Sequence, residues 1–295
     1  ILTKNEEKHI ARCIHSVQGV CEEIWVIDSF STDRTCEIAE ELGAKVVQHP
    51  WKNYATQFNY AVYQCPIQAE WLWRIDADEF LEGNLGVAMK RVLTHCADDV
   101  NGVYVRKRID FMDRPLLHGG WYPFYHLKVF RRGHGECENR WMDEHIRLLN
   151  GKTITVSEGN QVDANLNNLT WWTEKHNGYA VREMVDMLMM EYGLDDGARE
   201  IIPKFWGTDA ERKRWLKLKY VKAPLFIRPF LNFFYRYVLR GGFLDGREGF
   251  IWHILQGFWY RMLVDAKVYE LKKRFHFDAK LIKQYLLDNY ISDHR

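Results

Sequence analysis

The clearest chemical signal in the chain is Asp76-Ala77-Asp78, two carboxylates two residues apart that close the apolar run Glu70-Trp71-Leu72-Trp73-Arg74-Ile75. Oxygens placed this way can grip one hard cation, which would hold a diphosphate and neutralise charge building on a leaving group. The triplet alone is common among surface acids, and its place at a strand end is what gives it weight. A second carboxylate, Asp28, closes Glu23-Ile24-Trp25-Val26-Ile27 and opens Asp28-Ser29-Phe30-Ser31-Thr32-Asp33. At a strand end it can accept hydrogen bonds from a nucleoside base or ribose. The Ser and Thr residues suit a tight turn into a helix that Asp33 would cap.

Two further clusters carry usable chemistry. His118-Gly119-Gly120-Trp121-Tyr122-Pro123 sets two glycines beside two aromatics. Glycine lets backbone approach a ligand, and aromatic faces stack on sugar rings; a plain structural loop is the other reading. Arg131 and Arg132 follow Val129-Phe130. Guanidinium forks suit phosphate, though adjacent arginines at a strand end also serve as solvated charge. His145 is a candidate metal ligand, with a hydrogen-bonded structural role as the alternative.

Placing these residues requires an alternation of strands and helices. Ile1-Leu2-Thr3 reads as the end of a strand whose beginning lies upstream. Asn5 can cap a helix with Glu6 and Glu7 in its first turn, and Ile10, Cys13, Ile14 and Val17 recur at helical spacing. Residues 23–28 read as a buried parallel strand. Cys36, Ile38, Ala39 and Leu42 face inward on the next helix, Gly43 ends it, and 44–47 form another strand. Helices over about 54–64 and 84–95, and strands ending at Asp76 and spanning 102–108, complete the order β-α-β-α-β-α-β-α-β. That order predicts an α/β fold with a mainly parallel sheet and helices on both faces, which binds ligands at the carboxyl ends of its strands. No Gly-rich phosphate loop of the dinucleotide or Walker type occurs, which excludes dehydrogenase and P-loop readings. Beyond Asn168 the pattern becomes helical, so the expected division is 1–165, a nucleotide-binding and catalytic domain, and 166–295, a helical, basic and aromatic region.

In this order the motifs resemble a known family. Thr3-Lys4-Asn5-Glu6-Glu7, Val26-Ile27-Asp28-Ser29-Phe30-Ser31-Thr32-Asp33-Arg34-Thr35 and Asp76-Ala77-Asp78-Glu79 closely resemble the family 2 glycosyltransferases of GT-A (Rossmann-like) fold, over about residues 1–150. The His118–Pro123 loop followed by Val129-Phe130-Arg131-Arg132, and Gly241-Gly242-Phe243-Leu244-Asp245-Gly246-Arg247-Glu248-Gly249 in the tail, are similar to the branch of lipopolysaccharide-core β-glucosyltransferases and related surface-glycan enzymes. The resemblance implies a nucleotide-diphosphate sugar donor (a UDP-sugar first), Mg2+ or Mn2+, and inverting transfer to a lipid-linked or lipopolysaccharide-type glycan. It implies donor-nucleotide contacts from Thr3, Asn5, Glu6, Asp28, Ser29 and Asp76, and a metal on Asp78 and Asp76. Acceptor or sugar contacts fall to His118, Gly119, Gly120, Trp121, Tyr122, Arg131 and Arg132. Phe30 departs from the family's turn, where glycine is common. An inverting displacement needs a base. Trp141-Met142-Asp143-Glu144-His145 resembles the family's acidic base motif, with Glu144 first and Asp143 second. The Gln-x-x-Arg-Trp signature of processive synthases is missing, so a single addition is expected.

Of the 295 residues, 47% are hydrophobic and 27% charged, which excludes a disordered chain. The net charge of +1 averages unlike parts: residues 201–295 hold 19 Lys and Arg against 9 Asp and Glu, and residues 1–200 hold 22 against 31. Residues 224–262 carry 12 aromatics, and Phe226, Phe230, Phe233, Phe234, Tyr237 and Phe243 interleave there with Arg228, Arg236 and Arg240. The longest charge-free apolar stretch, Gly249–Tyr260, has 12 residues, against about 20 for a spanning helix. The tail therefore reads either as a membrane-interface attachment toward anionic headgroups or as a helical core of its own. No apolar leader opens the chain, and its six cysteines show neither zinc nor disulfide-framework spacing. The expected place is the cytoplasm, peripheral on the inner face of the cytoplasmic membrane. Competing readings are a nucleic-acid binder, which the acidic catalytic half and missing modules disfavour, and a sugar-nucleotide nucleotidyltransferase, which would need a Gly-rich basic loop where Asn5-Glu6-Glu7 stands. A catalytically inactive relative is the third; retention of Asp76, Asp78 and Glu144 speaks against it.

Overall fold

The apolar run at 25–28 becomes the middle strand of a three-stranded parallel sheet in the computed structural model. The order is β1 (Leu2–Thr3), β2 (Trp25–Asp28), β3 (Lys45–Gln48). The structure describes residues 1–138, 144–194, 206, 215, 220–221 and 223–291, and the chain divides into two compact units, Ile1–Leu166 and Asn167–Arg295. Val26 and Ile27 are fully buried, as a strand covered on both faces requires. Helix α1 (Ile10–Val17) lays the expected stripe of Ile10, Cys13, Ile14 and Val17 inward. It starts later than the sequence suggests: His9 holds the cap position, and Asn5 adopts a left-handed backbone (φ 55°) outside the helix. Helix α2 (Thr35–Glu41) buries Thr35 and Ala39, while Cys36 stays half-exposed. Arg34 rather than Asp33 occupies its cap position, although Asp33 accepts the Thr35 amide at 3.0 Å. Gly43 ends the turn with φ 82°.

Helix α3 (Tyr54–Gln64) is capped by Asn53, whose side chain accepts the Thr56 amide at 2.7 Å. A second sheet follows. It contains β4 (Trp71–Trp73), β5 (Glu79–Glu82), β6 (Val100–Phe111), β7 (Arg114–Pro115), β8 (Phe124–Arg131) and β11 (Lys152–Ala164), in the order β4-β8-β6-β11-β5 with β7 on β6. Helix α4 (Leu85–His95) packs Leu85, Ala88 and Met89 against Val103, Val105, Val129 and Val156 of this sheet. The parallel part of the fold is β1–β3 and the pair β6 and β11. The other pairings of the second sheet are antiparallel, of which only β6 with β7 is a tight hairpin; β4 with β8 and β5 with β11 join strands distant in sequence. A parallel bridge between Leu2 and Asp76 brings the end of the β4 segment beside β1. The hairpin β9 (Gly135–Cys137) and β10 (Ile146–Leu148) stands on α3: Asn59 donates to the Cys137 carbonyl at 2.9 Å and accepts its amide at 2.8 Å.

The second unit is helical. Helix α5 (Leu169–Tyr192) begins where Asn168 accepts the Trp171 amide at 3.0 Å and ends at Gly193, φ 65°. Helix α6 (Arg228–Phe233) continues as a π-helix over Phe234–Leu239, and α7 (Gly246–Trp252) continues likewise over His253–Trp259 into α8 (Tyr260–Arg274); α9 spans Ala279–Leu286. Inside the unit Arg228 pairs with Asp265 at 2.5 Å, both about 1% exposed, and Glu183 accepts from Tyr260 (2.6 Å) and Arg261 (2.5 Å). Among the described residues no helix is long and apolar enough to cross a membrane. The basic run at 211–219 lies outside the described residues except for Trp215.

Candidate active site

The first two motifs meet each other before they meet any ligand. Lys4 Nζ donates to the carbonyls of Ser29 (2.6 Å) and Phe30 (2.9 Å). The Asn5 amide donates to Ser31 Oγ (2.8 Å), while Asn5 Oδ1 accepts the Thr32 amide (2.8 Å). The Glu6 amide donates to Thr35 Oγ1 (2.7 Å), and the Glu7 amide to Asp33 (3.2 Å). Residues 3–7 and 28–35 are thus two halves of one stitched loop pair over the carboxyl ends of β1 and β2. Asn5 and Glu6 serve here as its cross-links, and Glu6 also faces His9 Nδ1 at 2.6 Å. His9 Nε2 accepts the Leu166 amide at 2.8 Å, so the ring proton sits on Nδ1, toward Glu6.

Asp28 is fully buried at the centre of this pair. It accepts from Thr3 Oγ1 (3.1 Å), the Ser31 amide (2.8 Å), Ser31 Oγ (2.5 Å) and Gln48 Nε2 (3.2 Å). Burial pushes this carboxyl up, but the Ser31 and Gln48 donors outweigh it and hold it below its ordinary value. Ser29 is also buried, with its hydroxyl accepting from Gln57 at 3.0 Å. Phe30 takes φ 57°, the backbone for which glycine is preferred, and its ring is 48% exposed. Phe30 therefore holds a left-handed backbone that is strained for a residue with a Cβ.

Beside Thr3, the Leu2–Asp76 bridge sets the carboxylate pair Asp76 and Asp78. Asp76 Oδ1 accepts the Tyr54 hydroxyl, and Arg74 Nε lies 3.8 Å from it. Oδ2 lies 3.5 Å from Lys128 Nζ. Asp78 is half-buried, and Asn165 Nδ2 donates to its Oδ2 at 3.2 Å. Arg12 clamps the turn from behind, donating to the carbonyls of Asp78 (3.1 Å) and Ala164 (2.5 Å).

Beneath the pair lies a buried cluster that sequence reading missed. Glu79 is fully buried. It accepts from Lys107 (2.7 Å), Lys128 (2.9 Å), Gln161 (2.5 Å) and the Asp76 amide (3.0 Å), and Lys107 also reaches Asp163 at 2.9 Å. Burial alone would raise the Glu79 carboxyl; the two ammonium groups hold it well below the usual range. Burial lowers Lys107, and Asp163, Glu79 and Asp76 reverse that, holding it well above its ordinary value. Asp76, at the mouth of the cluster, moves up through burial and the nearness of Glu79, against the pull of Lys128. The available signal was Lys128 itself, a lysine inside the apolar strand Leu127-Lys128-Val129-Phe130, where a buried charge requires a partner.

The other expected residues divide. Glu144 is half-buried at the neck of the β9–β10 hairpin, near enough to Arg74 and Cys137 for its charge to act on both. Its hairpin is closed by Glu138, whose amide donates to the His145 carbonyl at 3.0 Å and whose Oε1 accepts the His145 amide at 3.2 Å. Trp141, Met142 and Asp143 lie outside the described residues. Gly119 and Gly120 take φ 68° and 76°, turning His118 into Trp121, and the Trp121 amide bonds the His118 carbonyl at 3.3 Å. Tyr122 lies against Arg106 (5.6 Å from its ring centre) and donates to Asn160 at 3.2 Å. Arg131 and Arg132 are not brought to the carboxylates. Arg131 pairs with Glu70 and covers the Trp71 ring at 4.7 Å, at the end of β4 remote from Asp76, and Arg132 is exposed beside it. Lys128 holds the position facing Asp76 on that strand.

Two hard carboxylates, Asp78 and Asp76, flank the buried Ala77 and suit Mg2+ or Mn2+ by oxygen chemistry. Among the described residues no group of three His, Cys, Asp or Glu forms a self-sufficient metal cage. A cation here would complete its coordination with ligand oxygens and water, so the arrangement fits an ion shared with a diphosphate.

The known proteins similar to this chain are glycosyltransferases. Residues 1–146 match the model of glycosyl transferase family 2. An uncharacterized glycosyltransferase of Rickettsia felis is 48% identical over 85 residues, 29% of this chain and 29% of that protein's length. The lipopolysaccharide core biosynthesis glycosyltransferase LpsC of Rhizobium meliloti is 28% identical over 95% of this chain and 96% of its own. In fold, the chain is similar to the mannosyltransferase PcManGT of Pyrobaculum calidifontis, solved with GDP-Man and Mn2+ (TM-score 0.50, 14% identity, 90% of this chain and 85% of that one). With its stitched loops over β1 and β2 and its paired carboxylates at the strand ends, the chain belongs to glycosyl transferase family 2, with a GT-A-type α/β unit and a helical C-terminal unit.

Proposed function

We propose that the chain transfers one sugar, with inversion, from a nucleotide-diphosphate sugar to a hydroxyl of a lipid-linked or lipopolysaccharide-type glycan, at the inner face of the cytoplasmic membrane. The observation that carries this reading is the convergence of Thr3, Asp28 and Asp76-Ala77-Asp78 at adjacent strand ends, held by the Thr3–Asp28 bond (3.1 Å) and the Leu2–Asp76 bridge. LpsC supports the acceptor class by its name, and PcManGT, which holds GDP-Man with Mn2+, supports the donor class and the ion. A UDP-sugar is the first donor to try.

Asp78 and Asp76 would hold the divalent cation, whose contribution when bound is to neutralise diphosphate charge as the sugar departs. The chain's own residues do the rest. The stitched loops 3–7 and 28–35 position the nucleoside, with Thr3, Ser29 and Asp28 beneath them. Lys128 and Arg74 hold Asp76 in place, and Tyr54 orients it. Glu144 takes the proton from the acceptor hydroxyl as its oxygen bonds to the anomeric carbon. The bond from that carbon to the phosphate oxygen breaks in the same displacement, and its electron pair leaves with the diphosphate. The His118–Tyr122 loop offers aromatic surface to the sugars.

A panel of nucleotide sugars, scored for donor hydrolysis and transfer with Mg2+ or Mn2+, tests the reading. One donor should turn over. Glu144→Gln should lower kcat by about 10²–10⁴-fold with donor KM nearly unchanged. Failure of every donor would move the chain to the inactive, nucleotide-binding class; near-normal turnover in Glu144→Gln would remove that residue from the base role.

A further inference from the structure

The helical unit turns an apolar face outward. Over residues 227–239 the exposed positions are Ile227, Phe230, Leu231, Phe234, Val238 and Leu239, together with Tyr235, each at least 43% exposed. They recur at intervals of three and four, one face of a helix, and the opposite face is the buried one. There Arg228 is locked to Asp265 at 2.5 Å and to the carbonyls of Tyr220 (3.2 Å) and Val221 (3.0 Å), Asn232 donates to the Gly257 carbonyl (2.7 Å), and Phe233 stacks on Tyr237. An ordinary surface helix has its polar side out; this one is inverted.

The Gly241-Gly242 turn extends the face. Gly241 adopts φ 70°, and a Cβ on Gly242 would stand 2.3 Å from His253 Nε2, so glycine is required for the chain to fold back there. The turn delivers Phe243 (51% exposed) and Leu244 (56%) directly after the helical stripe, while Asp245 is buried. Between 224 and 247 the only acid is therefore hidden, and Arg240 and Arg247 are exposed. Contiguous apolar surface of this extent marks an interaction site on a soluble chain. The flanking charge selects the occupant: the part from 201 to 295 carries ten more cations than anions, which repels a second copy and attracts an anionic surface.

We propose that residues 227–244 form a preformed docking face that lies in the headgroup and upper acyl region of an anionic bilayer, with Phe243 and Leu244 inserted beside the helix and Arg240 and Arg247 at the phosphates. Because the buried side is already anchored, docking needs no folding step. The proposal deepens the membrane element of the reading above, and donor binding is scored separately so that the two can fail apart.

The test is co-sedimentation of the full chain with vesicles of phosphatidylcholine containing about a third phosphatidylglycerol, and with phosphatidylcholine alone. Wild type should bind the anionic vesicles and bind the neutral ones more weakly. Phe230→Ser with Phe234→Ser, and separately Phe243→Ser with Leu244→Ser, should each lower partitioning about tenfold or more. Arg240→Gln with Arg247→Gln should remove the preference for anionic vesicles. Circular dichroism and nucleotide binding should stay at wild-type values throughout, showing intact folding. Undiminished vesicle binding in both apolar variants would overturn the proposal. So would a wild-type chain that ignores vesicles and sediments as a dimer that the Ser variants dissociate, which would assign the face to self-association.

Discussion

The two units break the usual partition of residues in opposite directions. The first buries charge: Glu79 and Lys128, joined by the half-buried Lys107, sit under the paired carboxylates, where an ordinary core would be apolar. The second exposes apolar surface along 227–244. The second unit also contains a buried pair, Arg228–Asp265, yet its partners are backbone carbonyls and its setting is helix packing. Buried charge alone is thus no signature of chemistry. What sets the first cluster apart is that it opens at Asp76, which is 26% exposed at the mouth, whereas the Arg228 pair is sealed.

That contrast can be broken directly. Lys128→Met leaves Glu79 and Asp76 facing fewer cations in a buried site and should cost about 3–5 kcal/mol in urea unfolding. Arg228→Met should cost about as much, but adding Asp265→Leu should recover most of the loss, because a sealed pair can be exchanged for apolar packing. Repacking Lys128 and Glu79 together as apolar residues should restore stability in the same way and still leave donor turnover lost. If turnover survived that repacking, the distinction between the two buried clusters would fall.

Acid should separate the units more gently. Burial lowers His253 from 6.5 to about 4, and burial does the same to His176, also to about 4. The unfolded chain takes up these protons first, so their contribution to stability is complete above about pH 6.5 and is lost as pH falls toward 4. Both residues belong to the second unit, so circular dichroism of that helical unit should weaken in this window. The stitched loops 3–7 and 28–35, whose Asp28 is held below its ordinary value, should resist until lower pH. The smallest expected effect is at Phe30: replacement by Gly relieves a left-handed backbone and should raise stability by up to about 1 kcal/mol, read from the urea midpoint, with nucleotide binding unchanged.

Local patterns in the sequence carried the parts whose physics is local. The stripe Ile10, Cys13, Ile14 and Val17 and the acids at strand ends are visible in spacing alone. The cross-links made by Asn5 and Glu6 are not visible in the sequence because their hydrogen-bond partners lie 27 and 29 residues away, at Thr32 and Thr35. Arg131 and Arg132 stand out in the sequence as phosphate contacts, while Lys128 on the same strand gives no such signal. Which cation faces Asp76 depends on register: Arg74 pairs its amide with Lys128, while Arg131 falls opposite Trp71, on the alternate face. The tail's aromatics allow a packed core or an exposed face, and they divide between buried packing and exposed surface. Phe233, Tyr237 and Phe258 pack on one another, while Phe230 and Phe234 are more than half exposed.

Helix α3 touches the site at three places along its length. Tyr54 in its first turn orients Asp76, Asn59 grips the Cys137 main chain, and Tyr63 donates to Glu136 at 2.7 Å. The carboxylate turn and the hairpin bearing Glu144 are therefore spaced by a rigid rod. Between Tyr54 and Asn59 that rod advances about 7.5 Å, at about 1.5 Å per residue. The gap between the Asp76 turn and the Cys137 strand is thus gauged by helical rise rather than by loop length.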